Sequence, residues 1–414
     1  METQGQSHVN RSVSILAVFA MMCLILGGTV IYYNSVMSQQ ITNSNSANAK
    51  LSNQVYELQS SLSSLKSSLS NNSTSSNSTK TDANALSIYE NTARSVVTIE
   101  GDNVTTVNTF LGPVESYAVI EGSGFVTDYE NVPYIVTNFH VVDGTVNTTV
   151  TFSDGDAYPG KVIGSDVYAD LAVISVNAPA SEFHPLTIED SSSLSVGEPV
   201  YAIGAPFGLS GTFTSGLISQ LDRTITEATT GNYSIAGIVQ FTAPINPGNS
   251  GGPLLNSAGE VIGITTATIS SSQGLGFAIP SQTIIRELPS LISTGSYLDH
   301  SYLGIEGVDN DYQLAQASKT NITYGVLVES VTSGSPAAEA GIRGGTKQVD
   351  IAGTEYLVGG DIIISANGTR LINNDALASY LEENTVAGQV LVLGIVRGGA
   401  VMNVTVTLGA RPQP

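Results

Sequence analysis

The chain has 414 residues, a length that predicts two or more domains. Aspartate and glutamate number 35 against 14 lysines and arginines, which gives a formal net charge of −21 at pH 7. A surface this acidic repels phosphate backbones, so the composition argues against nucleic acid as a partner. The single cysteine, Cys23, excludes an intrachain disulfide and a cysteine-based metal site, and we expect neither a metal nor a cofactor.

An uncharged apolar segment follows a polar N-terminus of residues 1–12 and runs from Val13 to Tyr33. It is long enough to cross a bilayer as a helix, which takes about 20 residues. Arg11 precedes it and no further cation occurs before Lys50, so the N-terminus is expected in the cytoplasm. A cleaved signal peptide is the alternative, although no clear cleavage site is present. The pattern favours an uncleaved transmembrane helix and a single-pass cell-membrane protein whose later domains lie on the extracytoplasmic side.

Residues 34–86 are rich in serine and asparagine, a composition typical of a stalk that does not fold alone. Within it, residues 51–69 carry apolar side chains at heptad spacing. These are Leu51, Val55, Leu58, Leu62, Leu65 and Leu69. Fewer than three heptads are covered, so a short oligomerising coiled coil and a solitary amphipathic helix both remain open.

Residues 87–293 read as β structure, because short runs of Val, Ile, Thr and Tyr alternate with Gly, Asp and Asn. Many short strands without helical periods predict a barrel or a sandwich. Three segments contain side chains of the types found in catalytic sites. His140 ends the strand-like stretch YIVTNFH, Asp170 opens the apolar stretch DLAVISV, and Ser250 lies in the glycine-rich loop PINPGNSGGPL.

These three side chains are the types that peptide hydrolysis requires. A serine hydroxyl is a poor nucleophile until an imidazole takes its proton. The imidazole in turn needs a carboxylate that fixes its tautomer. Backbone N–H groups must stabilise the oxyanion, and Gly248 can adopt the backbone conformation that turns its N–H and that of Ser250 toward one point. Each segment alone is weak, but their combination predicts a catalytic site.

The three motifs TNFHVV, DLAVISV and NPGNSGGPL resemble those of the HtrA/DegP/DegQ family of trypsin-like serine proteases. The resemblance implies a mainly β fold, with a chymotrypsin-like double β-barrel followed by a PDZ domain. It implies that Ser250 is the nucleophile, His140 the base and then the acid, and Asp170 the residue that orients the imidazole. The implied oxyanion hole comprises Gly248, Asn249 and Ser250. The family's GLGFAIP stretch matches here and would wall the substrate cleft with Gly274, Leu275, Gly276, Phe277 and Ala278. A homotrimer is implied in the same way.

Two departures from the family pattern concern specificity and not the triad. Phe139 stands before the histidine where the family usually has asparagine, and Pro244 lies six residues before Ser250. Trypsin-like enzymes that prefer basic residues carry an acid at the latter position. Pro244 therefore predicts a substrate-binding pocket for small or medium aliphatic side chains.

The remaining residues, 300–408, resemble a single HtrA-type PDZ domain, and a linker is predicted over Leu288–Ser301. Residues 335–342 predict a short helix capped by Ser335, and residues 373–384 predict a second helix. An Asn-Gly turn is expected at residues 367–368. PDZ domains capture peptide C-termini by strand addition, and the matching carboxylate loop comprises Tyr302, Leu303, Gly304 and Ile305. Residues 346–358 are an insertion of unassigned role, and a packing domain without ligand is the alternative.

Two functions compete at this point. One is an ATP-independent endopeptidase that degrades misfolded or unfolded extracytoplasmic proteins, since the sequence contains no GxxxxGK[ST] phosphate loop. The other is a peptide-binding, chaperone-like surface protein whose triad is gated or inactive. The partners expected in either case are unfolded polypeptides, peptide C-termini and the membrane.

Overall fold

The computed structural model describes residues 78–109, 112–205, 211–227, 233–266 and 274–413. The apolar segment 13–33 and the heptad segment 51–69 lie outside them. Residues Lys80–Pro414 form one compact unit, and every contact discussed below lies within it.

The predicted single-pass localisation needs correction. Within the described ranges, no helix is both long and apolar enough to cross a bilayer. The longest of them, Ser78–Thr92, has 15 residues, about 22 Å at 1.5 Å per residue, and the hydrocarbon core is ~30 Å thick. The prediction is therefore wrong for the part of the chain that the structure covers.

The first of two closed β-barrels has the strand order β1-β2-β3-β6-β5-β4. Its strands are β1 (Val96–Thr109), β2 (Gly112–Tyr129), β3 (Val132–Thr137), β4 (Thr145–Thr151), β5 (Ala157–Asp166) and β6 (Leu171–Val176). All neighbours are antiparallel, and the side chains that point inward are branched aliphatic residues such as Ile99, Ile135 and Ile174. Strand β6 is buried over its first four residues, which is why its sequence is almost continuously apolar.

The second closed barrel has the order β10-β11-β12-β9-β8-β7. Its strands are β7 (Pro199–Gly204), β8 (Thr212–Glu227), β9 (Tyr233–Phe241), β10 (Pro253–Leu255), β11 (Val261–Thr266) and β12 (Gly276–Pro280). Phe241, Leu254 and Ile262 fill its interior. A further cluster that includes Phe125 of the first barrel and Leu255 of the second packs the two barrels together, so the expected double barrel is confirmed.

Three α-helices accompany the barrels: α1 (Ser78–Thr92), α2 (Phe139–Val142) and α3 (Ser281–Thr294). Short 3-10 turns cover Ala93–Ser95, Ala180–Glu182 and Ser191–Ser193. Helix α3 ends at Gly295, whose φ of +83° suits glycine. The structure differs from two of the predicted boundaries. Residues 78–86 of the predicted stalk are helical, and the predicted linker begins inside α3, where Leu288 and Leu291 are buried.

The C-terminal region forms a sheet of order β14-β15-β18-β20-β21, with β19 paired to β18. Two small sheets, β13–β22 and β16–β17, accompany it. The strands are β13 (Ser301–Tyr302), β14 (Ile305–Asp309), β15 (Val326–Val331), β16 (Lys347–Ile351), β17 (Thr354–Val358), β18 (Ile362–Ala366), β19 (Thr369–Arg370), β20 (Val390–Arg397), β21 (Ala400–Thr407) and β22 (Gly409–Ala410). The helices are α4 (Tyr312–Ala317), α5 (Pro336–Glu339) and α6 (Asn374–Asn384).

The local expectations for this region are confirmed. Ser335 caps α5 by accepting a hydrogen bond from Ala338 N–H, and Asn373 caps α6 in the same way. Asn367 and Gly368 have φ values of +46° and +86°, as a tight hairpin turn requires. The insertion 346–358 contributes the β16–β17 hairpin.

Candidate active site

His140 and Asp170 are in direct contact. The His140 ring Nδ1 lies 2.8 Å from Asp170 Oδ2 and 3.1 Å from Oδ1, and the His140 backbone N–H donates to Oδ1 at 2.9 Å. The Asp170 side chain is fully buried. A carboxylate held against Nδ1 keeps the proton on that nitrogen, and Nε2 is then the basic atom of the ring. Strand β3 ends at Thr137, so His140 lies in the single turn α2 and not at the end of a strand as predicted.

Asp170 occupies the last position of the turn between β5 and β6, as its sequence context predicts. Its φ is +50°, a left-handed conformation that aspartate tolerates better than most residues. The buried side chain of Asn138 donates its Nδ2–H to the Asp170 carbonyl oxygen at 3.0 Å. At the other end of the turn, Asp166 Oδ1 accepts the Tyr168 backbone N–H at 2.9 Å. These bonds fix the backbone that carries the carboxylate.

Ser250 lies in the loop between β9 and β10 and is buried. Its carbonyl oxygen accepts the Ser123 backbone N–H at 2.8 Å. The next residue, Gly251, donates its N–H to Thr265 O, while Thr265 Oγ1 donates to Asn249 O at 2.7 Å. Strand β11 therefore holds the loop from one side and strand β2 of the other barrel holds it from the opposite side.

Ser123 contacts the serine loop, and the sequence did not predict this contact. Its Oγ donates to Gly248 O at 2.6 Å and accepts the Ala205 N–H at 2.9 Å, so one buried hydroxyl joins the two barrels beside the serine loop. The sequence does contain a pattern that points to this contact: Ser123 is a polar residue between two glycines, Gly122 and Gly124, within a strand. That pattern marks a place where another backbone comes close.

Two glycines allow this close approach. A Cβ on Gly251 would lie 2.0 Å from Ser123 O, and a Cβ on Gly122 would lie 2.7 Å from the Val141 side chain and 3.2 Å from Ser250 O. The Ser250 backbone and the residue next to His140 thus border the same glycine. The structure brings the serine loop of one barrel and the His–Asp pair of the other to a common boundary.

The residues predicted for the oxyanion hole have distinct environments. Gly248 has φ +95°, in the region that glycine alone adopts freely. The Asn249 backbone N–H donates to Asn246 O at 3.0 Å, and the Asn249 side chain is buried. The Asn249 N–H is therefore bonded within the loop and does not point toward a substrate.

The predicted substrate wall is divided between surface and core. Pro244 is exposed, and Leu275 is 40 % exposed. Phe277 and Ala278 of β12 instead pack into two different apolar clusters of the second barrel. A Cβ on Gly276 would lie 2.4 Å from the Phe241 ring. From this segment, only the backbone and Leu275 are therefore placed to meet a substrate.

The predicted carboxylate loop lines a cavity of about 250 Å³ between this loop, α6 and the second barrel, whose Thr224, Ser234 and Ala236 also border it. Tyr302, Leu303, Gly304 and Ile305 all border it, together with Leu377 and Leu381 of α6. Strand β14 is an edge strand of its sheet, so its free edge can accept an added strand.

Two six-stranded barrels, with an His–Asp pair from one and a serine loop from the other, define the class of trypsin-like serine proteases. A trypsin-like peptidase domain matches residues 122–264, and a PDZ domain matches residues 301–408. These two matches give the domain order, a trypsin-like peptidase domain followed by a PDZ domain.

Several known proteins are similar to this chain in sequence. Protease Do-like 1, chloroplastic, of Arabidopsis thaliana is 40% identical over 295 residues, which cover 70% of this chain and 64% of that protein. The putative serine protease HhoA of Synechocystis sp. is 35% identical over 310 residues, 73% of this chain and 74% of that protein. The periplasmic serine endoprotease DegP of Escherichia coli is 37% identical over 295 residues, 70% of this chain and 57% of that protein. Because HhoA is more than 30% identical and is matched over more than two thirds of its length, the chain belongs to the HtrA/DegP family of serine proteases, which confirms the family resemblance. The chain spans less than two thirds of the first and third relatives.

Solved structures agree in fold. The HtrA-type protease AlgW with a decapeptide superposes with a TM-score of 0.59 at 27% identity, over 80% of this chain and 99% of that chain. AlgW with a tripeptide gives a TM-score of 0.60 at 29% identity, over 80% of this chain and 98% of that chain.

Proposed function

We propose that this protein is an ATP-independent serine endopeptidase that cleaves misfolded or unfolded polypeptides. Ser250 attacks the scissile carbonyl, His140 accepts its proton and later delivers it to the leaving amine, and Asp170 holds the imidazole in place. The N–H groups of Gly248 and Ser250 stabilise the oxyanion. The observation that carries the proposal is the contact of both Asp170 oxygens with His140 Nδ1, beside a serine loop fixed by Ser123.

The substrate class follows from the residue at position 244 and from the absence of a nucleotide-binding motif in the sequence. The sequence contains no GxxxxGK[ST] loop, so substrates must already be extended when they arrive. Pro244 offers no charge to a basic side chain, and cleavage after small or medium aliphatic residues follows. In a peptide-library digest, a majority of cuts after Lys or Arg would contradict this preference.

The C-terminal domain binds peptide C-termini in the cavity beside Tyr302–Ile305. The free edge of β14 and the apolar wall of α6 support this role, as does the likeness to AlgW, whose structures hold a decapeptide and a tripeptide. Oligomerisation, with a trimer as the family resemblance implies, completes the proposal. Sedimentation of residues 78–414 and of the full chain tests it.

Casein turnover by wild type and by Ser250→Ala tests the proposal directly. Removal of a triad residue lowers turnover by ~10⁴ to 10⁶, so Ser250→Ala should be inactive. Ser257→Ala is the matched control, because Ser257 is exposed in the β10–β11 turn, and it should keep full activity. A serine-directed phosphonate should modify Ser250 alone. Equal casein turnover in wild type and Ser250→Ala would refute the enzymatic role. A wild type that binds peptides but shows neither turnover nor labelling would favour the chaperone-like alternative.

A further inference from the structure

A buried cluster of ionisable side chains lies where the first barrel, helix α3 and the PDZ domain meet. Asp166 ends β5, Glu287 lies within α3, and His300 directly precedes β13. Asp166 is 6 % exposed, His300 is 3 % exposed and Glu287 is 0 % exposed. One ligand atom from each of the three residues lies within 4.8 Å of the other two. Imidazole nitrogen and carboxylate oxygen are atoms that bind divalent metal ions in proteins.

The His300 ring is held as a metal-binding imidazole is held. Its Nε2 is hydrogen-bonded to the Asp166 carboxylate, and its Nδ1 lies 3.3 Å from Glu382 Oε2 on α6. A carboxylate beside Nδ1 keeps a proton on that nitrogen, and the lone pair of the neutral ring is then on Nε2. Nε2 is therefore the nitrogen that can bind an ion held between the ring and Asp166.

The Glu287 carboxylate has one bonded oxygen and one oxygen without a partner. Its Oε1 accepts a hydrogen bond from Arg286 at 2.6 Å. Its Oε2 is buried and has no hydrogen-bond partner among the residues that the structure describes. A buried carboxylate oxygen in that state is unfavourable, and a cation beside it removes the cost.

The charges of the cluster favour a divalent ion. The carboxylates of Asp166, Glu287 and Glu382 meet there, and the neutral imidazole of His300 leaves Arg286 as the cation that pairs with them. Three negative charges against one positive charge leave two uncompensated. A Zn²⁺ ion supplies both. In the metal-free protein, a proton on Nε2 takes its place and supplies one.

The spacing and the type of the ligand atoms suit a small transition-metal ion. Ligand atoms at ~2.0 Å from a tetrahedral ion lie about 3.3 Å apart. Side-chain movements of roughly 1 Å therefore bring the three atoms from within 4.8 Å to that spacing. A nitrogen ligand favours Zn²⁺ over Ca²⁺ and Mg²⁺, which take oxygen ligands. The single cysteine excludes a thiolate site but does not bear on oxygen and nitrogen ligands.

We propose that Asp166, Glu287 and His300 bind a Zn²⁺ ion that fastens the PDZ domain to the first barrel and to α3. Asp166 and Glu287 each supply a carboxylate oxygen, and His300 supplies Nε2. Glu382 orients the imidazole from outside the ligand set, and Arg286 orients the Glu287 carboxylate. The ion takes the position of the proton between His300 and Asp166.

Zinc content measures the site directly. The full chain is stripped with a chelator, incubated with a small excess of Zn²⁺ and desalted, and its zinc is determined by elemental analysis. The wild type should keep one ion per chain. Glu287→Gln and His300→Gln each remove a ligand and should lower the affinity for Zn²⁺ by more than ~100-fold, so neither should keep the ion. Ca²⁺ should not displace the ion, because one of its ligands is a nitrogen.

Three further variants locate the ion. Glu382→Gln leaves the ligands in place but loosens the hold on Nδ1, and should lower the affinity by ~10- to 100-fold. His140→Gln breaks the His–carboxylate pair of the candidate triad and should keep wild-type affinity. Asp154→Asn should also keep it, although Asp154, Asp156 and Glu182 form another group of carboxylates, because that group is largely exposed.

Unfolding in urea provides a second readout. The wild-type midpoint should rise with the Zn²⁺ concentration, whereas the midpoints of Glu287→Gln and His300→Gln should not change. Glu287→Gln removes a buried charge and keeps an oxygen that can accept from Arg286, so this variant should fold even if His300→Gln does not. Ser250→Ala should bind the ion as the wild type does, so the test does not depend on the proposed protease function.

The outcomes decide the assignment. Loss of the ion in Glu287→Gln, together with its retention in His140→Gln and Asp154→Asn, supports it. A wild type that keeps no zinc, or whose midpoint Zn²⁺ does not move, overturns it. Retention of the ion by Glu287→Gln, its loss from His140→Gln or its displacement by Ca²⁺ also overturns the assignment, because the ion then has other ligands.

Discussion

Replacing Gly251 by alanine tests how tightly the serine loop is fitted between the barrels. Gly251 has φ +87°, where a side chain costs about 1–2 kcal/mol. The added Cβ would also lie 2.0 Å from Ser123 O and 2.3 Å from Thr137 Oγ1. Real Cβ atoms essentially never come within 3.0 Å of another atom, so the loop must move by roughly 1 Å. A displacement of that size beside a nucleophile lowers turnover by ~100-fold.

The assay is casein turnover together with the rate of phosphonate labelling of Ser250. Gly388→Ala is the control, because Gly388 has a similar φ of +82° but no atom within 4 Å of the added Cβ. The control should lose the same 1–2 kcal/mol of stability and keep wild-type turnover. Wild-type turnover in Gly251→Ala, or an equal loss in both variants, would refute the reasoning about the close approach.

Three further predictions concern buried polar groups. Asn138→Ala removes the bond to the Asp170 carbonyl and should lower stability by about 1–3 kcal/mol and reduce turnover, as melting curves and casein assays would show. Asp361→Asn breaks the two-point contact with Arg397 and should destabilise the PDZ domain by ~3–5 kcal/mol in urea unfolding, without loss of phosphonate labelling. The pKa of His300 is raised from 6.5 to about 10, so its stabilisation is complete below pH 6.5 and is lost as the pH rises through about 10. Between pH 7 and 10 the urea midpoint should fall more steeply in wild type than in His300→Gln, and parallel slopes would contradict the assignment.

Local strand patterns predict a barrel or a sandwich, and the family resemblance adds the double barrel and the His140–Asp170 contact. The stretch DLAVISV places an acid directly before a buried strand, and the structure has Asp170 directly before β6. Turn and cap chemistry is equally local, as Asn367 and Ser335 show. The place of Ser250 in a glycine-rich loop follows from composition in the same way.

Other features depend on contacts between distant parts of the chain. Helix α3 escaped prediction because Pro289 interrupts its apolar pattern, although Ile284, Leu288 and Leu291 all face the core. Ser123 bonds to a residue 125 positions away. The His300 contact joins residues 134 positions apart. The glycines beside Ser123 indicate that another backbone comes close, but the local sequence does not identify either partner. The proximity of these residues arises only when two barrels and a PDZ domain pack together.

The position of Ser123 between the barrels has a consequence for folding. Each barrel closes on itself and can form with its own hydrogen bonds, yet the serine loop gains its hydrogen bonds from the first barrel only when Ser123 meets Ser250 O and Gly248 O. After dilution from denaturant, β structure should therefore return before hydrolytic competence. The delay between the return of β structure and the return of hydrolytic activity measures how long the two barrels take to join.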